Sequence, residues 1–119
     1  MQSYKDLVVW QKAIQLVTAI YTITEKFPKS ELFGLTSQMR RASVSIPSNL
    51  AEGYTRKHRA EYIQFVRIAF GSGAELETQL FLAENLQFVT KTEIAEAEIL
   101  LGEIMRMLNK LSSSLLAKP

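Results

Sequence analysis

Apolar positions recur along this chain at steps of three and four, and no segment alternates with a period of two, so the pattern predicts helices and no strands. The first stripe is Leu7, Trp10, Ile14, Val17, Tyr21 and Thr24. It closes at Phe27-Pro28, where the proline ring disfavours helical geometry in the preceding residue. Ser30 is placed as the N-cap of a second helix, with Leu32, Leu35, Met39, Ala42, Ile46 and Asn49 on one face and Gly53 as its stop. A polar turn, Thr55-Arg56-Lys57-His58, leads to a third stripe of Tyr62, Val66, Ala69, Gly73, Leu76, Leu80 and Ala83. Gly71 and Gly73 each cost about 1 kcal/mol relative to Ala inside a helix. The phase holds across them, so one helix is expected from about Arg59 to Leu86, closely packed at the glycines. Thr90 or Thr92 caps a fourth, whose stripe is Ile94, Ala97, Leu101, Ile104, Leu108, Leu111 and Leu115. The expected fold is all-α: one domain over residues 1–119, an antiparallel up-down four-helix bundle.

The helices are also apolar away from these stripes. Val9, Leu16, Ile20 and Ile23 lie off the first, Phe65, Phe70 and Phe81 off the third, and Leu100 and Met107 off the fourth. A broader core stripe would absorb some of them. The surplus favours self-association over a monomer, because large apolar surface left outside a core marks an interface.

Composition narrows the chemistry. Of 119 residues, 47% are hydrophobic, a fraction that suits one globular domain and excludes disorder. Without cysteine there is no disulfide scaffold, thiolate metal site or thiol nucleophile. The lone His58 has Thr55 three residues before it, so the Glu-x-x-His pair of carboxylate di-iron bundles is absent. Phosphate-binding glycine loops and the nucleophile-elbow motif are missing too. The expectation is a protein that is not an enzyme, with no cofactor and no metal. Residues 1–6 are polar and the apolar run at 7–10 is too short for a signal peptide, while nothing approaches a membrane span, so a cytoplasmic location without membrane contact is expected.

The second helix departs from plain bundle patterning. Pro47 inside it leaves the Ser43 carbonyl without its helical donor, which predicts a kink or break. Arg41, Ser45, Asn49 and Glu52 share one face, and Asn49 falls on the core stripe, where an unsatisfied amide costs about 1–3 kcal/mol. Ser72, Glu75 and Gln79 on the third helix are the expected partners. One reading is a site built from Arg41, Asn49, Glu52 and Glu75. The favoured one is a buried polar network of Arg41, Ser45, Asn49, Glu52, Ser72 and Glu75 that fixes helix register and oligomer state.

Charge adds a direction. The net charge is only +2. On an up-down bundle, residues 1–15, 43–70 and 105–119 form one half with nine basic and three acidic side chains, or +6. The other half has five basic side chains and nine glutamates, or −4. The basic end makes Lys5, Arg56, Lys57, Arg59 and Lys110 candidate nucleic-acid contacts, with Tyr54 or Tyr62 available for stacking. The alternative is a solvated turn plus lysines that complement a helix dipole.

The run ELFGLTSQMRRASVSIPSNLAEGYTR, the later GSGAELETQL, and the opening LVVWQKAIQL with IYTITEKFP resemble the four-helix-bundle family named for 23S rRNA intervening sequences. Gly73 stands where a larger residue is common in that family. The resemblance implies a left-handed bundle assembling as a ring-like homopentamer. It also implies a fold related to the accessory protein of diversity-generating retroelements, a basic pentamer that engages nucleic acid and a reverse transcriptase. The expected function is therefore a non-enzymatic oligomer that binds structured nucleic acid, rRNA or other RNA or DNA, through its basic end. The alternative is a structural or adaptor protein that recruits a protein partner.

Overall fold

The computed structural model describes residues 3–117. Four helices carry most of them: α1 (Val8–Thr24), α2 (Leu35–Thr55), α3 (Arg59–Asn85) and α4 (Lys91–Ala117). Short 3-10 turns at Tyr4–Asp6 and Lys29–Glu31 precede α1 and α2, and no strand occurs among the described residues. α1 packs against α2 and α4, and α3 packs against the same two helices, so the four enclose one core as the sides of a square. The molecule measures 49 × 23 × 21 Å, its length close to the ~40 Å of a 27-residue helix.

The third and fourth stripes face the core as expected: Val66, Ala69, Gly73, Leu76, Leu80 and Ala83 from α3, with Ile94, Ala97, Leu101, Ile104 and Leu108 from α4. α1 is a correction. Its buried residues are Val9, Ala13, Leu16, Ile20, Ile23 and Thr24, whereas Ile14 and Tyr21 of the expected stripe are exposed. Both stripes are apolar at helical spacing, so periodicity alone does not choose between them. The inner one carries Ala13 and aliphatic side chains, while the outer carries the aromatics with polar handles. Trp10 meets Tyr4 edge-on with ring centroids 5.5 Å apart, and the Arg40 guanidinium sits 4.5 Å from the centre of the Tyr21 ring.

α2 begins later than expected. Ser30 lies in the 3-10 turn, Gly34 is the N-cap, and the Glu31 carboxylate accepts the Leu35 N–H at 3.2 Å. Leu32 is therefore exposed. The helix runs through Pro47 without a break, and the buried Ser43 hydroxyl donates to the Arg40 carbonyl at 2.8 Å. Gly53 does not stop it. It is buried inside the helix, where an added Cβ would lie 2.7 Å from Phe65 Cβ, so it sets the close approach of α2 to α3. At Gly73 an added Cβ would overlap Met105 Sδ, whereas Gly71 faces open space and packs against nothing.

Both helix ends that need a left-handed residue use one other than glycine. Lys57 (φ 63°) follows α2, and Gln87 (φ 64°) follows α3. After α3, the Gln87 and Phe88 N–H groups donate back to the Glu84 and Ala83 carbonyls, which satisfies the orphaned end of the helix. Of the two threonines offered as the α4 cap, Thr90 takes the role, and it does so reciprocally with Glu93, each backbone N–H donating to the other's side chain. That donation from Thr90 lowers the Glu93 carboxyl below its ordinary value.

Candidate functional site

The candidate cations Lys5, Arg56, Lys57, Arg59 and Lys110 are all exposed. Lys12 pairs with Glu103 at 3.3 Å, which sets the later turns of α4, and Lys110 with them, beside the start of α1. The turn carrying Lys5 packs against both α1 and α2 and is capped by Ser3 and Asp6. Arg56, Lys57, His58 and Arg59 make the α2–α3 connection, all exposed. Lys118 of the basic half lies outside the described residues.

These groups are not equivalent. Arg56 Nη2 donates to Glu52 Oε2 at 2.9 Å, Nη1 lies 3.6 Å from Glu61 Oε2, and the guanidinium carbon sits 5.3 Å from the Phe65 ring centre. The hydrogen bond to Glu52 raises its already high pKa further. Arg56 thus braces the turn, and two carboxylates offset its charge. Lys57 and Lys110 make no ion pair among the described residues. Tyr54 and Tyr62 meet edge to face with centroids 6.0 Å apart. Burial, and then Tyr54, push the Tyr62 phenol above its ordinary value. Half-buried as it is, Tyr62 is held in a contact within the fold.

The polar face of α2 is only partly the network expected. Ser45 Oγ and Ser72 Oγ are 2.8 Å apart and join α2 to α3. Asn49 is half-buried, not core. Its amide donates to the Ser45 carbonyl at 2.8 Å and hydroxyl at 2.9 Å, so its partners belong to its own helix. Glu52 turns to Arg56, away from this group. Glu75 is exposed and accepts from Gln79 at 3.1 Å. Arg41 shares an open groove of about 360 Å³ with Ser45, Ser72 and Glu75. The correction has one cause: Leu50, rather than Asn49, fills the core position, which rotates this face outward.

Two features, at Arg40 and Phe33, went unread in the sequence, and Gln79 was read only as a partner for Asn49. Buried Gln79 replaces Asn49 as the amide at the core, with Oε1 unpartnered. Arg40 ties α1 to α2, donating to Thr24 Oγ1 at 2.9 Å and lying 3.6 Å from Glu25. Phe33 is 93% exposed, and its one sequence signal is that it falls off the Leu32 and Leu35 stripe. Among the described residues, no three side chains of metal-ligating type converge, and no helix is long and apolar enough to cross a membrane.

The model of one protein family, described as 23S rRNA-intervening sequence protein, matches residues 5–110. A crystal structure of a protein with unknown function from the S23 ribosomal protein family of Bacteroides thetaiotaomicron is similar. It is 22% identical, covers 89% of this chain and 96% of its own, and superposes with a TM-score of 0.82, a likeness of fold. Among curated proteins nothing matches.

Proposed function

The chain belongs to the 23S rRNA-intervening sequence protein family, and on that premise we propose that it works without catalysis, as a self-assembling bundle that binds structured nucleic acid at its basic end. The observation that carries this reading is that Lys5, Lys57, Arg59 and Lys110 are all exposed, with Lys57 and Lys110 in no ion pair among the described residues. Pairs at Lys12–Glu103, Lys26–Glu93 and Ser45–Ser72 support an antiparallel up-down order, which collects these cations on one end. Assembly into a ring would repeat them around an axis and raise the field that attracts phosphates. Exposed Ile14, Tyr21, Phe33, Phe81 and Ile99 support assembly, since one bundle leaves them in water.

The test is titration of the purified chain into labelled structured RNA and duplex DNA across a salt series. Binding should weaken steeply as salt rises, and Lys57→Glu with Lys110→Glu should abolish it while leaving helix content intact. Those two positions are chosen because reversing Arg56 would also break the brace to Glu52 and Glu61. Salt-independent binding, or none, would sink the reading in favour of a protein-recruiting adaptor.

A further inference from the structure

We propose that copies of this chain join head to tail, Phe33 of one copy seating in the groove between α1 and α4 of the next. The inference rests on the self-assembling reading above and adds which surfaces meet. Phe33 stands almost wholly in water at the α1–α2 connection, beside exposed Leu32, Tyr21 and Val44 along one hollow that Arg41 also lines. An apolar cluster with a charged rim is the make-up of a protein interface.

The α1–α4 groove has the converse shape. It encloses about 510 Å³; Ile14, Ala19 and Ala97 are among its apolar lining, and the two alanines leave the hollow a ring could enter. Glu93 and Glu96 line it, and no cation does. Glu93 is occupied in capping α4 and lies 3.8 Å from Lys26. Glu96 has no ion-pair partner among the described residues, and neither has Arg41. A protruding apolar residue near an unpaired guanidinium thus complements a recessed apolar groove beside an unpaired carboxylate.

Placement on the molecule supports the same pairing. Phe27, shortly before Phe33, meets the Phe88 ring at 5.5 Å, and Lys26 reaches Glu93. Phe33 and the Glu93 end of the groove therefore lie at one height along the bundle. Their directions differ, because one opens between α1 and α2 and the other between α1 and α4, adjacent sides of the square. Complementary faces on opposite sides would string copies into a filament. Faces on adjacent sides at one height turn each copy against the last, which favours closure over a straight filament.

The chain contains no cysteine, so introduced thiols report the contact directly. Phe33→Cys and Thr18→Cys, purified separately and then mixed, are treated with a short bis-maleimide and read on denaturing gels. Light scattering on the unsubstituted chain runs in parallel. A crosslinked dimer is expected in the mixture and in neither variant alone. Phe33→Cys linking to itself would overturn the proposal in favour of a two-fold contact. Assembly without the mixed crosslink would overturn the pairing of surfaces yet leave self-assembly standing. A monomer throughout would overturn both. Arg41→Glu and Glu96→Arg should each weaken assembly about tenfold, or about 1.4 kcal/mol, and restore it when combined; no restoration counts against the contact. Both sites are exposed, so retained helix content by circular dichroism separates a failure to assemble from a failure to fold.

Discussion

At Gly53 a methyl group would fall 2.7 Å from Phe65 Cβ, an atom that cannot yield unless α3 itself moves. Gly53→Ala is therefore expected to cost about 1–3 kcal/mol, the range for overpacking a tight contact. Gly71 has nothing within 4 Å of the same added atom, so Gly71→Ala should stabilise by about 1 kcal/mol through helix propensity alone. Urea midpoints with unchanged slopes would check both. Lys57 and Gln87 carry side chains in left-handed backbone that costs such residues about 1–2 kcal/mol, so glycine at either should raise the melting temperature. At Lys57 that gain should come with weaker nucleic-acid binding, whereas Gln87→Gly should leave binding unchanged. Glu93, lowered by the Thr90 N–H, contributes its extra stability above the ordinary carboxylate value of 4.5 and loses it as pH falls through the lowered one. Glu93→Gln keeps the capping oxygen but cannot titrate. The melting advantage of the unsubstituted chain over this variant should therefore shrink below about pH 4.5.

Among the elements, α3 and α4 were the most legible and α1 the least. The bounds of α3 agree with the expectation to within a residue, because a polar turn precedes it and its stripe keeps phase across the glycines. The α4 cap was legible only as Thr90 or Thr92; the reciprocal bonds between Thr90 and Glu93, three residues apart, decide for Thr90. In α1 two stripes compete, and the choice is made by what packs opposite. The consequence is measurable: Leu16→Ala, fully buried, should cost about 2–5 kcal/mol, while Ile14→Ser, exposed, should change the stability of the isolated bundle by under about 0.5 kcal/mol. Thermal melts at low protein concentration make the comparison. α2 lies between these cases. Its core was read correctly at Met39, Ala42 and Ile46 and its end, near Gly53, to within two residues, but Gly53 itself lies inside the helix and serves contact with α3.

For the whole molecule, charge is the property with functional reach. The sequence places Arg56 among the basic residues of one half, but in the fold its charge is offset, since Glu52 and Glu61 hold it. On the proposed reading, the cations that meet phosphate are Lys57 and Lys110, which make no ion pair among the described residues. Removing one phosphate-binding cation should reduce the slope of log affinity against log salt by about one. Lys57→Ala should therefore lower that slope, and Arg56→Ala should act mainly by loosening the turn.

The helices, most of their boundaries and three of the four core faces in outline are all properties of the chain read along its length. They come from local periodicity, capping pairs and composition, and each is set by residues within a few positions of one another. Packing across the bundle settles the rest: which stripe of α1 is buried, that Gly53 is a contact rather than a stop, that Asn49 turns out of the core, and that Phe33 stands in water. These depend on the shape of what lies opposite, so no spacing along the chain can encode them.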